Sequence, residues 1–290
     1  MACLDALTRQ DRPHLTVVVD NASSDGTSAL LAEHPSAPKV IRLPSNQGYA
    51  GGLASAMADV RTPYVAWLND DAEPEEGWLG LLEDALDADP AAGAASAWLI
   101  RPDGQVQSSG VRLTRQGYGA DATHGDVFGF CGGAAVLRTE ALHAVGGVPA
   151  DFFCYYEDTD TSWRLRLAGW RILSVPAARA RHRHGASTGL GSTSFHLWNE
   201  RNRLTMLLRC APDLVAAREL ARFAAITVAL PIRRLLGRPV PSAPNFQVTL
   251  RLRVFGEVLV RLPATLRQRQ HTARFARRTR DEVWHRWAGN

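Results

Sequence analysis

The chain has 290 residues, of which 46% are hydrophobic and 21% charged, which excludes a disordered or fibrous chain and suits one sizeable globular domain with an appendage. The opening residues lack the basic and then apolar stretch of a secretory leader, no apolar run reaches the roughly 18 residues of a membrane span, and the four cysteines (Cys3, Cys131, Cys154, Cys210) form no CxxC pair, so buried structural thiols in a reducing cytoplasm are expected. The net charge of +4 is uneven: residues 211–290 hold 15 Arg and 5 acids, net +10, leaving −6 on the rest.

Residues 15–19 form a short apolar run ending at Asp20, which predicts a buried strand. A polar turn, 21–26, precedes a helix at 27–33 and a second strand at 40–43. A helix of small residues is expected over 49–60, and a strand over 64–68 ends on Asn69-Asp70-Asp71. The spacing of Trp78, Leu81, Leu82, Ala85 and Leu86 predicts a helix over 78–88, followed by a strand over 94–100. Strands alternating with helices imply a mainly parallel sheet with helices on both faces. Ligands bind beyond the carboxyl ends of such strands, so Asp20 and the Asp70-Asp71 pair should meet at one crevice.

Past Ile100 come a turn, a hairpin arm over 106–113, a glycine-rich approach (129–133) to another strand, and a short helix to Val145 capped by Thr139. A helix over 157–167 has acids in its first turn and Arg164 and Arg166 later, the favourable dipole order, and Gly169 ends it. Strands follow at 171–175 and 180–184. Beyond Ser194 the pattern is helical, with Pro231 as a kink.

Three constellations carry chemistry. Carboxylates after a strand, as in Asn69-Asp70-Asp71, can hold a hard divalent ion that keeps positions for phosphate oxygens, although capping is the simpler reading of the triplet alone. Glu157-Asp158-Thr159-Asp160 opens a helix behind an aromatic run, where a carboxylate is stabilised and suits a base that takes a proton from a hydroxyl. Capping is the competing reading. His182 and His184 would face one side of a strand. One could complete a metal site, while Arg181 and Arg183 could equally bind phosphate, and the Gly/Ser-rich 186–192 could form a loop over a donor.

The ordered motifs VVVDNASSDGT (17–27), NQGYAGG (46–52), LNDDAE (68–73), GGAAVLR (132–138), FFCYYEDTD (152–160) and HRHGAS (182–187) closely resemble family 2 glycosyltransferases of the GT-A fold, in particular the rhamnosyltransferase-like enzymes of bacterial polysaccharide assembly. The resemblance covers residues 15 to about 210. It implies inverting transfer of a sugar, with dTDP-rhamnose among the donors, from a nucleotide diphosphate sugar to a saccharide or polyprenyl-linked acceptor, using Mg2+ or Mn2+. Asp20 would then contact the donor's base or ribose, within a donor site of Asp20, Asn21, Ser23, Asp25, Asn46, Gly48, Gly52, Asn69 and Asp70. Asp71 matches the last acid of the family's DxD position and is the first metal ligand, with His182 joining it. Asp158 matches the general base, with Glu157 beside it. Gly132 and Gly133 would line the acceptor cleft, with Tyr156 and Trp163.

Two departures stand out. Asn69 replaces the usual first Asp. The family also begins with a strand and a full first helix, whereas this chain starts inside what looks like that helix, so a start upstream is expected. The division expected is a shortened catalytic domain, 1–210, and a helical Arg-rich extension, 211–290. Basic amphipathic helices read as membrane-surface elements, which suits an enzyme peripheral at the inner face of the plasma membrane; packing on the catalytic domain or an oligomer interface are the other uses, and no nucleic acid partner is expected. The competing functions are a nucleotide-sugar-binding homologue without efficient turnover and, with no Gly-rich, Lys-containing phosphate loop in view, a nucleotidyltransferase.

Overall fold

The computed structural model describes residues 1–182 and 191–289. Helix α1 (Ala2–Leu7) leads into β1 (Val17–Asp20), α2 (Thr27–Ala32), β2 (Lys39–Arg42), α3 (Gly48–Met57), β3 (Tyr64–Leu68), β4 (Ala72–Pro74), α4 (Trp78–Ala88) and β5 (Ala92–Ile100). Then come β6 (Val106–Ser108), β7 (Gly110–Leu113), β8 (Gly119–Ala122), β9 (Ala134–Arg138), α5 (Thr139–Ala144), α6 (Glu157–Leu167) and β10 (Arg171–His182). Four helices close the chain: α7 (Thr193–Cys210), α8 (Asp213–Leu235), α9 (Val248–Phe275) and α10 (Arg280–Trp287).

The layering is α/β, with a six-stranded sheet in the order β3-β9-β5-β10-β4 and β6 on β5. Its pairing is mixed rather than mainly parallel. β5 and β10 are parallel, whereas β9 runs antiparallel to both β3 and β5. The reason is the excursion between β5 and β9. After Ile100 the chain builds β6 to β8 at the carboxyl edge, so it re-enters the sheet from that edge and descends as β9. β3, β5 and β10 still share one direction, which gathers Asn69, Ile100 and His182 at one edge. β1 and β2 pair in parallel as a separate two-stranded sheet.

Three further expectations change. The hairpin arm divides at Ser109: β6 joins β5, while β7 pairs with β8. Gly110 makes this division possible, because a Cβ there would lie 2.6 Å from the Gly129 carbonyl oxygen at φ +142°. Residues 171–175 and 180–182 belong to one strand with an irregular register between Val175 and Arg179. Thr139 is the first residue inside α5, with Arg138 at the N-cap position making no side-chain cap, and the Thr139 hydroxyl is buried without a hydrogen bond among the described residues.

Apolar burial fixes the layers. Trp78, Leu82 and Leu86 of α4 pack on Ala95, Ala97 and Leu99 of β5, each large side chain contributing about 2 kcal/mol. Trp67, Phe130, Leu165 and Ile172 fill the opposite face. A third cluster joins the body to the end of the chain: Trp163 stacks on Trp284 at 5.9 Å and meets Phe128 edge-on. The helices of the Arg-rich extension are packed on α7. Leu204 meets Phe223, Val254 and Val258, and the Arg269 guanidinium donates to the Leu208 and Ala211 carbonyls at the end of α7.

Candidate functional site

β3 ends at Leu68, and the chain turns through Asn69-Asp70-Asp71 into β4. The turn is pinned by main-chain bonds: Asn69 N–H donates to Gly133 O at 3.0 Å, and Ala72 N–H to Asn69 O at 3.1 Å. β4 then pairs with the end of β10 and sets Ala72 opposite His182. This register brings His182 Nε2 to 3.1 Å from Asp71 Oδ1. His182 Nδ1 lies 3.0 Å from Gln107 Oε1. Both contacts are acceptors for a ring N–H, the Gln107 amide oxygen at Nδ1 and the Asp71 carboxylate at Nε2, and together they fix the plane of the imidazole. Asn69 Nδ2 lies 3.5 Å from the same Nε2, and Asn69 Oδ1 is buried with no hydrogen-bond partner among the described residues. Asp70 is exposed on the turn.

The acids of α6 stand on a strained turn. Phe153, Tyr155 and Tyr156 have φ of 66°, 71° and 72°, a region costly for residues with side chains. Asn202 on α7 holds the turn: its Nδ2 donates to the carbonyls of Phe152 (3.0 Å), Cys154 and Tyr155 (both 2.8 Å), and Arg201 adds a bond to Phe152 O. No side chain caps α6. Asp158 Oδ2 accepts the Gly132 N–H at 3.0 Å, and its Oδ1 accepts from the backbone and hydroxyl of Thr159. Burial raises the Asp158 carboxyl above its ordinary value, with those hydrogen bonds pulling the other way. Glu157 is buried with Oε2 unpartnered, and burial, then the neighbouring Asp158, pushes it up to about 8.

Gly132 and Gly133 join the two halves. Gly133 holds Asn69, Gly132 holds Asp158, and Tyr49 O–H donates to Gly132 O at 2.7 Å. A Cβ on Gly132 would sit 3.2 Å from Asp158 Cβ, and one on Gly133 would sit 3.0 Å from Leu99 Cδ1, so larger residues would displace the acid or the strand.

The expected donor residues form a neighbouring layer. Asp20 is buried, and its carboxylate accepts from Ser23 N–H, the Ser28 hydroxyl and Arg42, which hold it well below the usual carboxylate range, the Ser28 hydroxyl most of all. It organises its own loop. Asp25 accepts from Thr27 at the start of α2. Asn21 bridges that loop to α3, donating to Gly48 O at 3.0 Å and accepting from Gln47 N–H at 2.8 Å. Asn46 Oδ1 accepts the Gly48 N–H. Gly48, at φ +72°, leaves room for Phe153: a Cβ there would be 2.2 Å from its carbonyl oxygen, and Ala50 N–H donates to that same oxygen. A Cβ on Gly52 would lie 3.6 Å from Val19 Cγ1, an ordinary contact. The Asp20 loop thus reaches the Asp158 turn through Asn21, Gly48 and Phe153.

Two expected acceptor residues are corrected. Trp163 is fully buried between Phe128 and Trp284, and Tyr156 is buried in the same cluster. They are core because the end of the chain packs against α6. Half-exposed rings stand elsewhere: Phe153 lies 4.8 Å from Trp198 and Tyr155 lies 5.1 Å from Phe195. Phe153 and Tyr155 belong to the aromatic run that precedes Glu157 in the sequence, whereas Phe195, Trp198, Gln107, Tyr49 and Asn202 were not picked out by the sequence reading. The polar run Glu200 to Arg203 inside an otherwise apolar helical period was the available signal for Asn202. The four thiols are free, and burial pushes each up to about 12, so none is a ready nucleophile. Arg183, His184 and the 186–190 part of the Gly/Ser-rich loop lie outside the described residues.

Among the described residues no three His, Cys, Asp or Glu side chains form a ready metal cage. The donor set still fits a hard divalent ion: the Asp71 carboxylate, the His182 imidazole and the Asn69 amide oxygen, which has no hydrogen-bond partner among the described residues, leave positions for a ligand's phosphate oxygens.

The chain is 28% identical over 213 residues to N-acetylglucosaminyl-diphospho-decaprenol L-rhamnosyltransferase of Mycobacterium tuberculosis, covering 62% of this chain and 69% of that protein. Its structure is similar to GalNAc-T7 with UDP, GalNAc and Mn2+ (TM-score 0.57, 11% identical, 86% of this chain), of whose length it spans about half (51%). It is also similar to S. aureus TarS 1-349 in complex with UDP (TM-score 0.53, 17% identical, 98% of this chain and 86% of that one). The fold is GT-A, and the model for glycosyl transferase family 2 matches residues 2–146, half of the chain. The chain belongs to glycosyl transferase family 2, as a rhamnosyltransferase-like member.

Proposed function

We propose that the protein transfers a sugar from a nucleotide diphosphate sugar to a saccharide or lipid-linked saccharide acceptor in cell-surface polysaccharide synthesis, with inversion at the anomeric carbon. The observation that carries this reading is the union of the Asp71–His182 pair and Asp158 through adjacent glycines. The similarity to an L-rhamnosyltransferase acting on a diphospho-decaprenol sugar supports dTDP-rhamnose as first donor and a polyprenyl-linked acceptor. Mg2+ or Mn2+ held by Asp71 and His182 would supply charge neutralisation for the departing diphosphate.

The chain's own residues do the rest. Asn21, Asn46 and Gly48 shape the donor loop, which Asp20 keeps folded from within. Asp158 accepts the proton of the acceptor hydroxyl as that oxygen bonds to the anomeric carbon and the bond to the diphosphate oxygen breaks. Gly132 N–H holds the carboxylate in place. Phe153, Tyr155, Phe195 and Trp198 offer apolar faces to the acceptor sugar. At the outer end of α8, Leu235 (88% exposed) and Leu236 stand beside Arg233, Arg234 and Arg238, a surface suited to an anionic bilayer that carries such an acceptor. No described helix is long and apolar enough to cross a membrane.

A second reading, a homologue that binds nucleotide sugar with poor turnover, is favoured by one observation: β1–β2 is not hydrogen-bonded into the six-stranded sheet. Transfer assays with a donor panel (dTDP-rhamnose, UDP-galactose, UDP-glucose, GDP-mannose) on wild type and Asp158→Asn test the proposal. Turnover with one donor, lost by about 100-fold or more in the variant while donor binding persists, is expected. Donor binding without any turnover in wild type supports the second reading, and normal turnover in the variant refutes the base.

A further inference from the structure

α6 carries Asp158 at its amino end. Eight residues on, roughly 12 Å along the axis, Arg166 faces a cavity of about 590 Å3 between α6, the start of β10, the 125–127 loop and α10. Four arginines line it, Arg166, Arg171, Arg278 and Arg286, against two acidic residues, Asp126 and Glu282. One of the carboxylates is committed elsewhere, because Glu282 accepts the Thr279 N–H at 2.7 Å in the capping box that starts α10. Arg171 reaches Asp89 at 3.0 Å.

Arg166 is the informative member. It donates to three carbonyls, Val127 O (2.7 Å), Phe128 O (2.9 Å) and Ile172 O (3.4 Å), and makes no recorded ion pair among the described residues. Burial and the nearby Arg286 push its pKa down to about 9, the response of a cation facing other cations in a poorly solvated place. Its guanidinium stacks 4.3 Å from the Trp287 ring centroid, and that of Arg286 lies 5.3 Å from the same centroid, which fixes their planes. Neutralising the carboxyl end of α6 explains one or two arginines but not four around a concavity.

We propose that this cavity binds a phosphate-bearing anion of phosphate or diphosphate size, either a free small molecule or a lipid headgroup. Planar guanidiniums match phosphate oxygens in pairs, and a concave basic surface concentrates such anions. The bound anion clamps α10 to α6. It also steadies the Val127–Phe128 carbonyls, a few residues before Gly132 and Gly133 in the acceptor segment. This site is separate from the donor site and does not depend on the transferase reading.

The test is calorimetric titration of the full chain with inorganic phosphate and diphosphate at constant ionic strength. A chelator is present throughout to silence metal-dependent binding at Asp71. Saturable one-to-one binding and a higher Tm are expected. The double variant Arg171→Gln/Arg278→Gln, both positions being exposed, should bind about tenfold more weakly, with Asp71→Asn unaffected. Absence of saturable binding, equal binding by the double variant, or loss of binding in Asp71→Asn overturns the proposal. With binding established, competition between diphosphate and phosphatidylglycerol vesicles assigns the headgroup as the source, and its absence assigns the free anion.

Discussion

Asn202 Nδ2 donates to the carbonyl of Tyr155 at 2.8 Å, and the same nitrogen serves Phe152 and Cys154. One amide on α7 therefore holds a turn with three residues at positive φ, and that turn delivers Glu157 and Asp158. Asn202→Ala would leave buried carbonyls unsatisfied at a cost of about 1–3 kcal/mol. Loss of Tm together with a fall in turnover is expected, since Ala50 N–H and Arg201 hold only the Phe153 and Phe152 carbonyls of this strained turn. Thermal scans with parallel transfer assays check this, and unchanged values for both would show that the turn is self-supporting.

The pair on α6 predicts a pH signature. Asp158 must be ionised to accept a proton, and burial raises its pKa, so kcat/KM should begin to fall at a pH above that of an ordinary aspartate as the solution is acidified. Stability runs the other way. Glu157 holds its proton up to about 8 when folded, against an ordinary 4.5, so its contribution is fully present below 4.5 and is lost as pH rises through 8. Glu157→Gln should therefore gain Tm over wild type at pH 9 relative to pH 5. A Tm difference that is constant across this range would contradict the shift.

Gln107 offers a test of the metal site that leaves both ligand side chains, Asp71 and His182, in place. It sits 3.0 Å from His182 Nδ1, and Gln107→Leu removes the acceptor that orients the ring. Metal titrations of donor hydrolysis should require about 10- to 100-fold more Mn2+ for half activation, with activity recovered at saturation. An unchanged requirement would remove His182 from the metal's surroundings.

The extension makes a prediction of its own. Leu235 on α8 and Val260 on α9 are 88% and 81% exposed. Leu235→Glu/Val260→Glu should reduce co-sedimentation with phosphatidylglycerol vesicles about tenfold and leave transfer to a soluble acceptor unchanged. Sedimentation that ignores lipid charge and salt would argue for packing or oligomerisation instead.

The local elements were legible because their signals are local. β3, α4 and α6 begin and end where apolar period, acidic first turn and Gly169 place them. The antiparallel entry of β9 was not, because pairing depends on which edge the chain returns from. Trp163 shows the same limit at the site. The resemblance makes it an acceptor-lining residue, yet its partner Trp284 lies far along the chain and makes it core. Asp71, His182 and Asp158 were visible as motif residues, whereas Tyr49 and Gln107 act through a carbonyl or a neighbouring ring that no spacing rule reveals, and Asn202 showed only as part of a polar run in an apolar helical period. The capping box of Thr279 and Glu282 was readable and sets the true start of α10.

The central claim is that Asp71 and His182, 3.1 Å apart, hold the ion to which a nucleoside diphosphate binds. Calorimetric titration of wild type and Asp71→Asn with dTDP and UDP, with Mn2+ or with chelator, tests it most directly. The account predicts binding in wild type that needs Mn2+ and weakens at least about tenfold in the variant. Equal affinity with chelator, or in Asp71→Asn, would contradict it.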